Sequence, residues 1–362
     1  MLRLVQAHKF NYTLFYEQHI WKHASCPSFF PQLPRALYSA DPHYQTTGGI
    51  GFIGAGSDTA SLSTHLRKAR SLLSSNPLPS HSSPSVLPIG VGFLNWGADL
   101  PTALAALKEH TPAAVWFFAP RRHSDLVEWT RSVREATGGA TKVWIQVGTV
   151  ASAVEVTQTC KPDVLVVQGS DAGGHGLERG AGVVSLLPEV ADALKKQCGA
   201  QTLPALMAAG GIVEGRGVAA SLVLGAAGVV MGTRYLAAEE ADIAKGYSDE
   251  VLRASDGGAS TVRSKVYDSL RGTTDWSQGY NGRGIINQSY HDSISGMDLE
   301  KNKGLYAKAL ETGDAGWGVQ GRLTTYAGTG VGLVTEMQSA KQITEQVREE
   351  AKRILGSFGS RL

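Results

Sequence analysis

Residues 168–176 read Gln-Gly-Ser-Asp-Ala-Gly-Gly-His-Gly and follow directly on the apolar run Asp-Val-Leu-Val-Val. Glycines grouped in this way let another group approach the main chain closely, at an entropic cost to the fold. A histidine among them is a poor core residue, and its ring changes charge near neutral pH. His175 is therefore the first candidate for moving a proton. Asp171, on the same stretch, is read as the residue that starts the turn rather than as the partner of His175.

A second chemistry-bearing stretch spans 205–240, ALMAAGGIVEGRGVAASLVLGAAGVVMGTRYLAAEE. Gly210 and Gly211 close one short apolar run, and Gly232 and Thr233 close the next. Backbone amides, a hydroxyl and a helix N-terminus at two adjacent strand ends suit a phosphoryl group. The last two strands of a βα barrel are where such groups are commonly held. A plain reading, in which these glycines only make tight turns, leaves their recurrence one βα unit apart unexplained. The stretch GFIGAGSDTA at 51–60 offers Gly54 and Gly56 toward a dinucleotide fingerprint. Thr59 occupies the third glycine position, and no acid occurs between Asp58 and Asp99, so the fingerprint fails.

The elements that must position these residues are short apolar runs at 49–53, 88–94, 113–119, 142–147, 164–168, 204–208 and 228–231. They are apolar on both faces, as parallel strands covered by helices are. The segments between them are long enough for crossover helices, one of them at 124–137 before Gly138-Gly139. This rhythm predicts an α/β protein, either a (β/α)8 barrel or a doubly wound sheet. The rhythm stops near 239, and residues 239–330 are read as an inserted cap. Trp276, Tyr280, Tyr290, Trp317 and Tyr326 belong to it and receive no assigned role. The apolar stripe Ile343, Val347, Ala351, Ile354 and Leu355 predicts a closing helix over 340–355 that packs back onto the first domain.

At 362 residues the chain can bury a large core. A net charge of +2 gives no electrostatic case for nucleic acid. No apolar run reaches membrane-spanning length. The three cysteines are widely spaced and suggest neither a disulfide framework nor a metal cluster, which points to a reducing, cytoplasmic setting.

With these residues placed, QGSDAGGHG, MAAGGIVEGRGVAASLVLGAAGVVMGTRYLAAEEA and GRLTTYAGTGVGLV together resemble the nitronate monooxygenase family over roughly 48–357. The resemblance implies a TIM-type barrel carrying FMN and a smaller substrate domain. It implies oxidation of alkyl nitronates by O2 to a carbonyl compound and nitrite. His175 matches the family's catalytic histidine, which in some members also deprotonates neutral nitroalkanes. Gln168 and Gly173 match flavin contacts, and Gly210, Gly211, Val230, Met231, Gly232 and Thr233 match the phosphate-side contacts. Gln146, at the end of VWIQV, is expected beside the flavin. No metal and no oligomeric state is implied. The domains expected are 48–238 with 331–362 as the FMN-binding barrel, and 239–330 as the substrate domain.

Residues 1–47 depart from that pattern. The family opens with a strand ending in a Pro-Met turn, then a helix. Here a strand near 35–40 leaves fewer than ten residues before Gly48, too few for a parallel crossover. Seven strands are counted where a closed barrel needs eight. The first βα unit is thus expected to be missing or irregular, with one wall of the flavin site absent and FMN binding weakened. A milder departure is Gly92 where many members place asparagine, with Asn95 three residues later. An FMN enoyl-thioester reductase using NAD(P)H, a degenerate relative with poor flavin binding, and a flavin-free phosphosugar barrel stand as alternatives.

Overall fold

The computed structural model describes residues 14–16, 50–75, 85–198 and 203–358. Seven parallel strands follow one another from residue 52 onward: β2 (Phe52–Gly56), β3 (Leu87–Leu94), β4 (Pro112–Phe118), β5 (Lys142–Val147), β6 (Val164–Gln168), β8 (Ala205–Ala209) and β9 (Gly228–Met231). They hydrogen-bond in the order β9-β8-β6-β5-β4-β3-β2. The short strand β1 (Leu14–Tyr16) adds parallel to β9, with Phe15 opposite Val230. The expected strand near 35–40 lies outside the described residues. The eighth strand position is taken by a segment some twenty residues upstream of it.

Alternation along each strand sends one set of side chains outward and one inward. Val115 and Phe117 of β4, Val143 and Ile145 of β5, and Leu165 and Val167 of β6 join the helices in one large core. Ala114, Trp116 and Phe118, with Phe52, Trp144, Val166, Met207 and Val230, fill the interior instead. A curled parallel sheet apolar on both faces, with helices outside, is the TIM-type α/β architecture expected from the rhythm of apolar runs. Local signals place the helices. Asp99 accepts from the Thr102 amide at 2.8 Å to start helix Leu100–Glu109, whose first turn holds Pro101. Helix His123–Ala136 stops before Gly138 and Gly139, both at positive φ.

The closing helix runs Ala340–Phe358. Ile343, Val347 and Ala351 are buried in the outer core, with Ile354 and Leu355 packed against it. Helix Gly215–Val223 meets it so closely that a Cβ on Gly215 would sit 2.5 Å from the Glu350 Cβ.

Beyond β9, strands β10 (Thr261–Ser264) and β11 (Tyr280–Ile285) pair antiparallel. The third strand of that sheet, β7 (Gly174–Leu177), comes from the histidine stretch itself. The stretch is therefore loop only as far as Gly173, and its second half is strand. His175 stands opposite Gly282. Barrel and cap segment are knitted together at the residue expected to do chemistry.

Candidate active site

All seven strands point their C-terminal ends at one rim, and register decides which side chains look inward there. Gln146 pairs with Val166, Gln168 with Ala209, and Ala209 with Val230. Gln146 and Gln168 are both buried. The Gln146 carbonyl accepts from the Trp116 indole at 3.0 Å, while its buried Nε2 has no hydrogen-bond partner. Gln168 donates to the His175 carbonyl at 3.2 Å. Asn95 accepts from the Phe118 amide at 2.9 Å and also leaves a buried, unpartnered Nδ2. Buried donors without acceptors are costly in a finished core and suited to a ligand with carbonyl or ring-nitrogen acceptors.

A cavity of about 60 Å³ opens at this rim, lined among others by Gln168, Gly173, Gly210, Gly211, Gly232 and Thr233. At about 10–15 Å³ per water it has room for about four to six waters. The glycines there are demanded by geometry. Gly210 and Gly211 hold φ of +107° and +74°, which side chains resist. A Cβ on Gly173 would lie 2.4 Å from the Gly328 nitrogen, where the segment after Tyr326 crosses the rim. Thr233 opens the turn Thr233–Ala237, and its hydroxyl accepts from the Gly328 amide at 2.9 Å, leaving its proton free to be donated. Val230 also lines the cavity. Met231 does not, because its side chain belongs to the outer core.

His175 lies beside this cavity rather than in its wall, and is 1% exposed. Its ring stacks on Trp276 with centroids 3.6 Å apart and planes 7° from parallel, and meets Tyr326, a wall residue, at 5.4 Å. Its Nε2 lies 2.9 and 3.0 Å from the two carboxylate oxygens of Asp268. Asp171 takes hydrogen bonds from the Thr329 hydroxyl at 3.1 Å on its side chain and from the Thr329 amide at 3.0 Å on its carbonyl.

The loop is clamped from the cap sheet. Arg263 donates to the carbonyls of Ala172 and Asn281, both at 2.7 Å, and Arg283 to that of Ser170 at 3.2 Å. Burial, then the neighbouring Arg283, pushes the Arg263 guanidinium down to about 10. Burial also raises the phenols of Tyr247 and Tyr326, which line the cavity, so both stay neutral hydrogen-bonding groups. Asp268, Arg263 and Arg283 carry no spacing signal in the sequence, since each reaches the histidine stretch from roughly 90 residues away or more. Trp276 did carry one: an aromatic residue in TTDWSQG, between glycines 272 and 279.

A glycine-walled cradle at the barrel rim, beside a buried histidine–carboxylate pair, is a concave site of the kind in which α/β barrel enzymes take up small molecules. Comparison with known proteins narrows the class. The family profile described as nitronate monooxygenase matches residues 127–350. The chain is 48% identical over 320 residues to nitronate monooxygenase npaC of Metarhizium robertsii, covering 88% of each protein. It is 38% identical over 360 residues to a nitronate monooxygenase of Neurospora crassa, covering 90% of this chain and 91% of that one. Among solved structures, FabK from Thermotoga maritima superposes with a TM-score of 0.69 at 22% identity, covering 97% and 96% of the two chains. A nitroalkane oxidase from Streptomyces ansochromogenes gives 0.66 at 21% identity, covering 89% and 94%. Those two likenesses speak for the fold. The chain belongs to the nitronate monooxygenase family of oxidoreductases.

Proposed function

We infer that this chain oxidises alkyl nitronates with O2, to a carbonyl compound and nitrite, with FMN as its cofactor. The observation that carries the reading is co-location. Seven residues expected from the sequence, Gln168, Gly173, Gly210, Gly211, Val230, Gly232 and Thr233, line one cavity. His175 lies one ring away, behind Tyr326.

The residues present fit the phosphoryl end of FMN: backbone cradles at Gly210–Gly211 and Gly232–Thr233, and a hydroxyl whose proton is free. Gln146, with its unpartnered buried Nε2, suits an acceptor of the ring system, and Met231 would contribute through its backbone. Bound FMN supplies the electron-accepting capacity that no side chain here has. The protein's own share is to anchor, to orient and to keep water away. His175 accepts the α-proton where the substrate is a neutral nitroalkane, and the proton it then carries gives it a donor for the nitronate anion so formed. In this reading 48–238 with 331–362 carry the cofactor, and 239–330 close over the substrate.

A visible spectrum of purified protein, with and without added FMN, is the first test, and a bound flavin makes it yellow. Anaerobic mixing is the second. Bleaching by a nitronate supports the reading, whereas bleaching by NAD(P)H alone favours an enoyl-thioester reductase. Protein that stays colourless after FMN is added overturns the cofactor assignment.

A further inference from the structure

We propose that Asp268 is a positioning residue for His175: it holds the hydrogen on Nε2, so that Nδ1 is the atom that takes a substrate proton. The proposal rests on the reading of His175 as the base and extends it to a residue of the cap segment.

Both members of the pair are buried, His175 at 1% and Asp268 at 4% exposure. An ionised carboxylate can only accept. With both of its oxygens within 3.0 Å of Nε2, the neutral ring keeps its hydrogen there and carries its lone pair on Nδ1. Asp268 is itself fixed. The Thr273 hydroxyl donates to its Oδ1 at 2.8 Å, the Tyr326 hydroxyl donates to the same atom at 3.3 Å, and the Thr273 amide caps its carbonyl at 3.0 Å. The ring is fixed from its face by Trp276 and through its backbone by pairing with Gly282. Other charges near the pair are few. Arg271 lies with its guanidinium carbon 5.5 Å from the Tyr326 ring centre. Arg263 and Arg283 stand on the opposite face of the small sheet, toward Gly176 and Gly174, where they hold loop carbonyls.

The step this serves is balanced. The α C–H bond of a neutral nitroalkane breaks and its proton goes to Nδ1. The electron pair enters the C=N bond of the nitronate, leaving its negative charge on the nitro oxygens. The imidazolium so formed faces the Asp268 carboxylate, which offsets its charge in a buried pair. A substrate that arrives already as the nitronate needs none of this.

The test has a readout without turnover and one with it. In protein labelled with 15N-histidine, the His175 resonances are those lost in His175→Asn. On the neutral ring they should report Nε2 protonated and Nδ1 bare; the reverse tautomer overturns the proposal, and this measurement needs no Asp268 variant to fold. With FMN-loaded enzyme, Asp268→Asn should lower kcat/KM for nitroethane by about 100-fold, within the span of general-base effects. It should lower kcat/KM for ethyl nitronate by less than about threefold, and the acid limb of the nitroethane profile should move to lower pH because the cation loses its counter-charge. Asp268→Glu, which keeps the charge, should recover part of the loss. Equal losses on the two substrates would assign Asp268 a purely structural role. Wild-type enzyme that oxidises ethyl nitronate but not nitroethane would also overturn the proposal, while leaving nitronate oxidation itself standing.

Discussion

Thr233 shows how much one side chain can be asked to do. Its hydroxyl oxygen is used by the Gly328 amide, which leaves its proton to be donated to a group held in the cradle. Thr233→Val removes both bonds, but only the one to the ligand enters the binding equilibrium, and at about 1 kcal/mol, net, FMN should bind roughly fivefold more weakly. Fluorescence quenching on titrating FMN into the apoprotein measures that. Gly173 makes a different demand, one of space. An added methyl would meet backbone atoms of Ala327 and Gly328 at 2.4–2.8 Å, on segments that cannot turn aside as a side chain would. Gly173→Ala is expected to cost roughly 1–3 kcal/mol in urea unfolding and to loosen the rim. His175→Asn should slow neutral nitroalkanes far more than preformed nitronates in steady-state assays. Equal losses would count against proton abstraction.

At the scale of elements, the histidine depends on two sheets at once. The chain leaves β6 at Gln168, turns through clamped carbonyls, and enters the cap sheet as β7. Movement of the cap segment must therefore move His175 or break β7 from β11. The closing helix contributes to stability rather than to chemistry. Ile343 is fully buried in the outer core. Ile343→Ala should lower unfolding free energy by about 2–5 kcal/mol, read from denaturant midpoints, with FMN affinity of the folded fraction unchanged.

For the whole molecule, the interior is rich in buried phenols. Burial pushes Tyr280 up to about 12 from its ordinary value of 10, and raises Tyr235 and Tyr267 further still. A group whose pKa is raised in the folded state contributes stability that is whole below its unfolded value and is lost as pH climbs past it. The protein should therefore lose stability above about pH 10. Phenolate absorbance should appear together with the loss of tertiary circular dichroism rather than ahead of it. Free titration of these phenols in protein that stays folded would contradict their burial. Among the described residues no helix is long and apolar enough to cross a membrane.

The parallel architecture was legible because strands covered on both faces must be apolar on both faces. The runs at 142–147, 164–168 and 228–231 coincide with β5, β6 and β9. The turns at Gly210 and Gly211 were legible as well, since their positive φ can be met cheaply by few residues but glycine. Composition and order along the chain are local quantities, and these features are local. The partner of His175 is not. Asp268 lies 93 residues away on a six-residue helix with no periodicity to betray it, and Trp276 reaches the imidazole only because β11 brings its loop back over the rim. Nor does order along the chain reveal that Met231 looks outward while Val230 looks inward, or that β1, from the segment that departs from the family pattern, pairs with β9. Those choices are made by strand register and by chain return, which exist only once the sheet has curled around its core.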